Sequence, residues 1–179
     1  MRTEQEWIKR LHKKVIEEFS PRLQKDFKEI DYDLGKVPAF GSYYIYGGVG
    51  SGKTLLAAHM YYQARKKQFL EVLPGKFIFA KTADIFQEIK STFGKGSDIE
   101  LEVLKKYCTA TYLVMDDIGS TKFTDWQISM LQIIINYRYE ELLTTVFTSN
   151  LNLDELGTAM DDERIPSRIR RMCEILKKK

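Results

Sequence analysis

Eight consecutive residues, from Gly47 to Thr54, have the types and spacing needed to hold a polyphosphate. They read Gly-Gly-Val-Gly-Ser-Gly-Lys-Thr and fit the pattern G-x-x-x-x-G-K-[ST]. Glycines lack a Cβ atom, so the backbone can take positive φ and bring its N–H groups close to phosphate oxygens. Lys53 would neutralise the outer phosphates, and the Thr54 hydroxyl is an oxygen ligand that suits Mg²⁺. We therefore predict that this segment binds ATP together with Mg²⁺.

The residues on either side of this loop support the prediction. Residues 43–46 are aromatic and β-branched and predict a buried strand, whereas residues 55–62 are rich in helix formers. An ordinary glycine turn has no need of this strand–loop–helix context. A dinucleotide-binding turn is also disfavoured, because Gly48, Gly50 and Gly52 have the spacing G-x-G-x-G and lack the G-x-x-G interval. The predicted nucleotide-binding residues are Gly47, Gly48, Val49, Gly50, Ser51, Gly52, Lys53, Thr54 and Leu55.

Two carboxylates follow the apolar run at residues 112–115. Ligands of open α/β sheets bind at the carboxyl ends of the strands, where Asp116 and Asp117 would lie. We predict that Asp116 holds the Mg²⁺ and that Asp117 orients the attacking water. The alternative, a pair of helix-capping aspartates, is disfavoured by the phosphate-binding pattern upstream.

Further candidates for catalysis lie nearer the end of the chain. Asn150 follows an apolar strand predicted at 145–148, where its amide could position the lytic water; the alternative is a turn asparagine. Arg168 lies in an arginine-rich stretch and could reach the γ-phosphate of a neighbouring subunit. For Arg170 and Arg171 a solvated helix face is the preferred interpretation.

The bulk properties fit one α/β domain. The chain has 179 residues, a net charge of +3 and 44% hydrophobic residues. This charge permits nucleic-acid binding without requiring it. No apolar run approaches the roughly 20 residues that cross a bilayer, the first six residues lack a signal-peptide core, and the two cysteines are isolated. We predict a cytoplasmic protein that makes no contact with membranes.

Hydrophobic periodicity predicts alternating strands and helices after an irregular linker at 31–41. The predicted strands are 43–46, 76–80, 112–115, 145–148 and 172–176, and the predicted helices include 4–19, 82–92 with Thr82 as N-cap, 98–107, 125–142 and 161–170. Such an alternation predicts a five-stranded, doubly wound parallel sheet flanked by helices.

Together, the phosphate loop, Leu113-Val114-Met115-Asp116-Asp117-Ile118-Gly119, Trp126, Asn136-Tyr137-Arg138-Tyr139 and Thr148-Ser149-Asn150 carry a family resemblance. The chain resembles, over residues 41–176, the AAA+ domain of DnaC/DnaI-type replicative helicase loaders, and it is similar to the related IstB-like transposition ATPases. The resemblance implies a P-loop NTPase fold, with an N-terminal helical or linker segment at 1–40 and an AAA+ ATPase domain at 41–179.

The resemblance also implies residue roles. Lys53 and Thr54 match the Walker A lysine and magnesium hydroxyl, and Asp116 and Asp117 match the Walker B pair. Asn150 matches sensor 1. Arg168, within Pro166-Ser167-Arg168-Ile169, looks like the arginine finger that completes a neighbouring subunit's site. The implied catalytic residues are Lys53, Asp117, Asn150 and Arg168, and the implied metal ligands are Thr54 and Asp116.

Three partners are implied by the same resemblance: single-stranded DNA, a replicative helicase and further copies of the chain in a head-to-tail oligomer. Residues 82–107 resemble the insertion with which initiators and loaders hold single-stranded DNA; the alternative is a solvated charged surface. The implied DNA contacts are Lys90, Phe93, Lys95, Lys105 and Lys106.

The sequence departs from the family in two ways. It ends directly after the fifth predicted strand, so we expect an AAA+ core without the C-terminal helical lid. Because Arg168 would act on the nucleotide of the next subunit, we also expect a lone subunit to hydrolyse ATP slowly. Its N-terminal region is short and has no zinc-ligand cysteines. Loaders usually bind the helicase through a larger N-terminal segment, so this departure weakens the prediction of a helicase partner. Three alternatives remain: a transposition helper that prefers duplex DNA, a small-molecule kinase, and a non-hydrolysing module that binds a replisome component.

Overall fold

The computed structural model describes residues 4–29, 37–120 and 122–179. Five strands form one parallel sheet in the order β2-β3-β4-β1-β5. The strands are β1 (Tyr43–Gly47), β2 (Phe77–Lys81), β3 (Tyr112–Asp116), β4 (Thr144–Ser149) and β5 (Glu174–Lys178). The predicted fold class, a five-stranded parallel sheet flanked by helices, is confirmed.

Eight helices are present in the described residues. They are α1 (Glu4–Glu17), α2 (Pro21–Glu29), α3 (Lys53–Leu70), α4 (Thr82–Lys90), α5 (Ser97–Cys108), α6 (Asp125–Glu140), α7 (Leu153–Met160) and α8 (Arg164–Met172). None of these helices combines the length and the apolar character that crossing a membrane requires. Residues 31–36 of the predicted linker lie outside the described residues.

Side chains alternate between the two faces of the sheet, as the period of a strand requires. In β3, Leu113 and Met115 belong to one buried core, whereas Tyr112 and Val114 belong to the other. The first core packs against α4 to α8, and the second against α1, α2 and α3. All five residues of β3 are buried, which explains why its sequence is an uninterrupted apolar run up to Asp116.

Four details of the predicted elements were wrong. No helix was predicted between the fourth strand and residue 161, but α7 forms there, with Asn152 and Glu155 as a reciprocal capping box. The predicted helix at 161–170 therefore lies at Arg164–Met172, and the last strand lies at Glu174–Lys178 rather than at 172–176. Thr82 is the first helical residue of α4 rather than its N-cap, and its hydroxyl donates to the Asp116 carbonyl oxygen at 3.0 Å.

Candidate nucleotide site

The glycines of the phosphate loop serve different structural purposes. Gly47 has φ 154°, and a Cβ atom there would lie 2.1 Å from the carbonyl oxygen of Lys178 on β5. It is therefore required by the close approach of β5, which the sequence did not predict. Gly50 and Gly52 have φ of 80° and 82°, in the left-handed region that favours glycine. Gly52 also directly precedes α3, so the loop leads into the helix N-terminus.

Lys53 is buried and folded onto its own loop. Its ammonium donates to the carbonyl oxygens of Gly47 and Gly48, at 2.8 and 2.7 Å. Burial lowers the pKa of Lys53, while the carboxylates of Asp117 and Asp116 oppose this shift. Two neutral carbonyl oxygens therefore hold the ammonium within the loop. Charged phosphate oxygens form stronger hydrogen bonds with an ammonium, so they can replace these carbonyls.

Two features of the loop fit a bound polyphosphate. The Ser51 hydroxyl is buried and has no hydrogen-bond partner in the part of the chain that the structure describes. Beside Gly48 and Gly50, a Cβ atom would meet no atom within 4 Å, so the space over these residues is open. In addition, the first N–H groups of a helix have no partner within it, and they point out of the start of α3 toward this space.

The Asp116 carboxylate joins the ends of β3 and β4 to the start of α3. Its Oδ1 atom accepts from the Thr54 hydroxyl at 2.7 Å and from the Thr148 hydroxyl at 2.6 Å. Burial raises the pKa of Asp116, and the hydrogen bonds from Thr148 and Thr54 counteract part of that rise. Thr148 also accepts from the Asp117 N–H at 2.8 Å. The sequence placed Thr148 in a motif but assigned it no role; its position one residue before the end of β4 was the available signal.

The oxygen set of Asp116 and Thr54 fits Mg²⁺. This ion keeps several waters and needs only one or two protein oxygens beside substrate phosphates. No cluster of three or more His, Cys, Asp or Glu side chains that could hold a metal occurs in the described residues. A Mg²⁺ ion shared with a triphosphate would find the protein oxygens it needs in Asp116 and Thr54.

Asp117, whose charge also acts on Lys53, borders a second space beside this pair. Its φ is 60°, a left-handed conformation uncommon for a residue with a side chain. It lines a cavity of about 270 Å³ between α4 and the segment leading into α6, together with Gln87, Lys90 and Trp126. The two carboxylates therefore face different surroundings: Asp116 faces the phosphate loop, and Asp117 faces a cavity that also borders α4.

Asn150 and Arg168 are placed differently from the loop residues. Asn150 is exposed and directly follows β4, whose Ser149 pairs with Tyr46, so it lies at the same sheet edge as Gly47. Arg168 lies on α8, which packs against α6 and α7. Its Nε atom is buried without a hydrogen-bond partner among the described residues. The structure thus brings Lys53, Thr54 and Asp116 together and does not bring Arg168 to the loop of its own subunit.

The predicted DNA contacts divide into two groups. Lys90, Phe93, Lys95 and Lys105 are exposed. Lys106 instead donates to both carboxylate oxygens of Glu88, at 2.7 and 2.9 Å. Phe93 also packs against Trp126, with ring centroids 5.4 Å apart.

Arg138 is fully buried and was not predicted to have a structural role. Its guanidinium donates to the carbonyl oxygens of Tyr107, Cys108 and Ala110 at the end of α5. It also donates to the Thr144 carbonyl and the Thr145 hydroxyl on β4. A guanidinium has five N–H donors, so this one side chain satisfies a cluster of backbone oxygens and fixes α5 to the sheet.

Residues 41–178 match the model of a protein family described as IstB-like ATP binding protein. This match covers most of the chain, including every predicted nucleotide-site residue. The chain belongs to the IstB-like ATP-binding family. The predicted AAA+ ATPase resemblance, DnaC/DnaI-type and IstB-like, is confirmed by this match together with the structural comparisons.

Two relatives come from Bacillus subtilis (strain 168). The chain is 28% identical to the protein YqaM over 154 residues, which are 83% of this chain and 44% of YqaM. It is 27% identical to the phage-like element PBSX protein XkdC over 148 residues, 80% of this chain and 52% of XkdC. This IstB-like chain therefore spans about half the length of these relatives.

Solved structures agree with the family. The DnaC helicase loader is 25% identical, with a TM-score of 0.68 over 92% of this chain and 96% of that one. DnaA from Aquifex aeolicus, solved with the ATP analogue AMPPCP, is 21% identical, with a TM-score of 0.64 over 87% of this chain and 45% of DnaA. At 21% identity, the similarity to DnaA shows a common fold only.

Proposed function

We propose that this IstB-like protein is a magnesium-dependent ATPase that acts as a helicase-loader-like replication factor on single-stranded DNA. The observation that carries the ATPase proposal is the hydrogen bond of 2.7 Å between the Thr54 hydroxyl and the Asp116 carboxylate. It joins the start of α3 to the end of β3, so the phosphate loop and the carboxylate for the metal form one site.

Each residue has a distinct task in the proposed reaction. The loop N–H groups bind phosphate oxygens, and Lys53 exchanges its two loop carbonyls for the outer phosphates. Asp116 and Thr54 would hold Mg²⁺, which would supply positive charge where negative charge develops on the phosphoryl oxygens. Asp117 and Asn150 orient the attacking water from the same sheet edge.

Arg168 acts on the site of another subunit in this proposal. Its Nε atom is buried and lacks an acceptor in the described residues, so a partner that supplies one would satisfy it. An arginine beside the γ-phosphate stabilises transition-state charge. A contact of this kind repeats head to tail and produces a ring or an open spiral.

Single-stranded DNA is proposed to bind along α4 and α5, where Lys90, Lys95 and Lys105 are exposed beside Phe93. The likeness to the DnaC helicase loader, which extends over nearly the whole of that chain, supports the loader assignment. The match to the IstB-like family favours a second candidate, a transposition helper that acts on duplex DNA. Affinities for single- and double-stranded oligonucleotides of equal length distinguish the two.

The ATPase proposal is tested by mixing two inactive variants. Arg168→Ala keeps its own nucleotide site but cannot complete that of a neighbour, and Asp117→Asn binds ATP without turning it over. Each alone should hydrolyse ATP at least about tenfold more slowly than the wild type. Mixed at high concentration, they should recover part of the rate, since Arg168 of one variant meets Asp117 of the other.

Two controls make the test decisive. Lys53→Ala should abolish ATP binding in calorimetry, and mixing it with Asp117→Asn should restore no turnover, because neither variant then has a working site of its own. Arg171→Ala, an exposed change on the same helix, should leave turnover unchanged. Normal ATP binding by Lys53→Ala would refute the nucleotide site, and failure of the mixture to recover any activity would refute the contribution from a second subunit.

A further inference from the structure

A groove runs between α1 and the carboxyl-terminal half of α3. It has a volume of about 580 Å³, and its lining includes Trp7, Arg10, Lys13, Lys14, Arg65 and Phe69. We name it the α1–α3 groove. Phe69 is 16 residues beyond Lys53, about 24 Å along the helix axis at 1.5 Å per residue. The groove also lies on the sheet face opposite to α4 and α5, so it is separate from both sites described above.

Two large aromatic rings are exposed in this groove. Trp7 is 43% exposed and Phe69 is 39% exposed. Their ring centroids lie 5.9 Å apart, with an angle of 36° between the planes. The two neighbouring rings thus keep a substantial part of their surface accessible, and together they form a platform for another planar group.

Positive charge surrounds the rings. Four cationic side chains line the groove, against the single carboxylate of Glu17. The Arg10 guanidinium lies 5.9 Å from the centre of the Trp7 ring. Arg65 is held by Glu18 at 2.9 Å, whereas Lys13 and Lys14 are exposed on α1. The lysines are thus available to an anionic partner, whereas the charge of Arg65 is largely balanced by Glu18.

We propose that the α1–α3 groove binds single-stranded DNA, with bases stacked on Trp7 and Phe69 and phosphates beside Lys13 and Lys14. Stacking platforms flanked by cations are the features that bind single strands irrespective of sequence. A duplex keeps its bases stacked inside and cannot use the exposed rings. An acidic polypeptide would satisfy the lysines but has no comparable use for both rings. This proposal does not depend on DNA binding by α4 and α5.

The two tryptophans of the chain, Trp7 and Trp126, allow each surface to be followed separately. Trp126→Phe leaves Trp7 as the only tryptophan, and Trp7→Phe leaves Trp126 beside Phe93. Titration of Trp126→Phe with oligo(dT) should quench its fluorescence to saturation, because a base stacks on the indole. An unchanged Trp7 signal throughout the titration would overturn the proposal, even if Trp126 responded in the other variant.

The charge requirement is tested in the Trp126→Phe background. Lys13→Glu combined with Lys14→Glu should weaken the quenching affinity by at least about tenfold. It should also reduce the slope of log affinity against log salt by roughly 1.4, about 0.7 for each lost phosphate contact. The matched control is Lys25→Glu with Lys28→Glu, two exposed residues on α2 with the same change in charge.

Three outcomes would contradict the proposal. If the α2 control lost as much affinity for oligo(dT), the effect would come from the overall charge of the protein and not from the groove. Equal quenching by a duplex would remove the single-strand assignment. Quenching by polyglutamate, with none by oligo(dT), would assign the groove to an acidic protein segment. Thermal melts of the lysine variants should stay close to that of the Trp126→Phe parent, since every substituted lysine is exposed.

Discussion

The strand ends at the phosphate loop and the surface of α4 and α5 hold their polar side chains in opposite ways. At the strand ends, Asp116 is buried and accepts from two hydroxyls, one of which also fixes the Asp117 N–H. On α4 and α5, most of the candidate lysines are exposed, and Lys106 alone among them is paired with a carboxylate.

This difference has a physical consequence. A polar group in a buried network shares its partners, so removing one member leaves others unsatisfied at a cost of about 1–3 kcal/mol each. An exposed lysine acts on a phosphate through a field that salt screens within about 10 Å. We therefore expect large, coupled effects from substitutions at the strand ends, and small, salt-dependent effects from those on α4 and α5.

Asp116→Asn should give the largest effect. The substitution removes the charge that holds Mg²⁺, so magnesium-dependent turnover should fall by roughly a hundredfold or more. At neutral pH it should also raise the Tm by roughly 2–4 °C, because burial disfavours the ionised carboxyl. Turnover assays and thermal melts measure the two effects.

The gain in Tm of Asp116→Asn should depend on pH in a direction that the raised pKa of Asp116 determines. Since the pKa of Asp116 is raised in the folded state, the folded chain binds the proton more tightly than the unfolded chain. Wild-type stability is therefore lost as pH rises from the ordinary aspartate pKa through the raised value, and the asparagine variant avoids this loss. The Tm difference should vanish at acid pH.

Thr148→Val should have an intermediate effect on the same network. It leaves the Asp117 N–H without its acceptor and removes one donor to Asp116. We expect the free energy of unfolding to fall by about 1–3 kcal/mol and turnover to fall by roughly tenfold, as the two carboxylates lose their fixed positions. Denaturant unfolding and steady-state ATPase assays measure these changes.

Thr158→Val serves as the matched control, because the Thr158 hydroxyl is exposed and bonds only within α7. It should change stability by less than about 0.5 kcal/mol. If Thr148→Val behaved in the same way, the carboxylates would be positioned by the backbone alone.

Sequence reasoning located the phosphate loop and the Walker B pair because both are contiguous. Their residue types follow one another at fixed spacing, so the sequence of one strand and the loop after it is enough to identify each motif. Thr148 and Arg138 act across the sheet instead, each on groups about 30 residues away in the chain. Their partners depend on strand order, which no local pattern in this sequence specified.

The missed helix α7 is a different case. Its capping box, Asn152 with Glu155, is a local signal that the sequence already contained. No local pattern in the sequence could indicate the role of Gly47. Its need for a missing Cβ arises from Lys178 on β5, 131 positions later, and follows only once β1 and β5 are paired.

The smallest expected effect separates two lysines of the same surface. Lys90→Ala should weaken oligo(dT) binding by roughly three- to fivefold at low salt, and by less as salt rises, because it removes an exposed phosphate contact. Lys106→Ala should change DNA binding by less than about twofold, because its ammonium is already held by Glu88. Fluorescence anisotropy at two salt concentrations measures both.

Stability should rank these two variants in the reverse order. Although burial would raise the pKa of Glu88, hydrogen bonds from Lys106 and Tyr107 lower it, so losing Lys106 removes a favourable contact. Because the pair is partly exposed, the loss should stay below about 1 kcal/mol, while Lys90→Ala should leave stability unchanged. If Lys106→Ala weakened DNA binding as much as Lys90→Ala, then DNA would displace Glu88, and ion pairing in the free protein would not indicate which lysines bind phosphate.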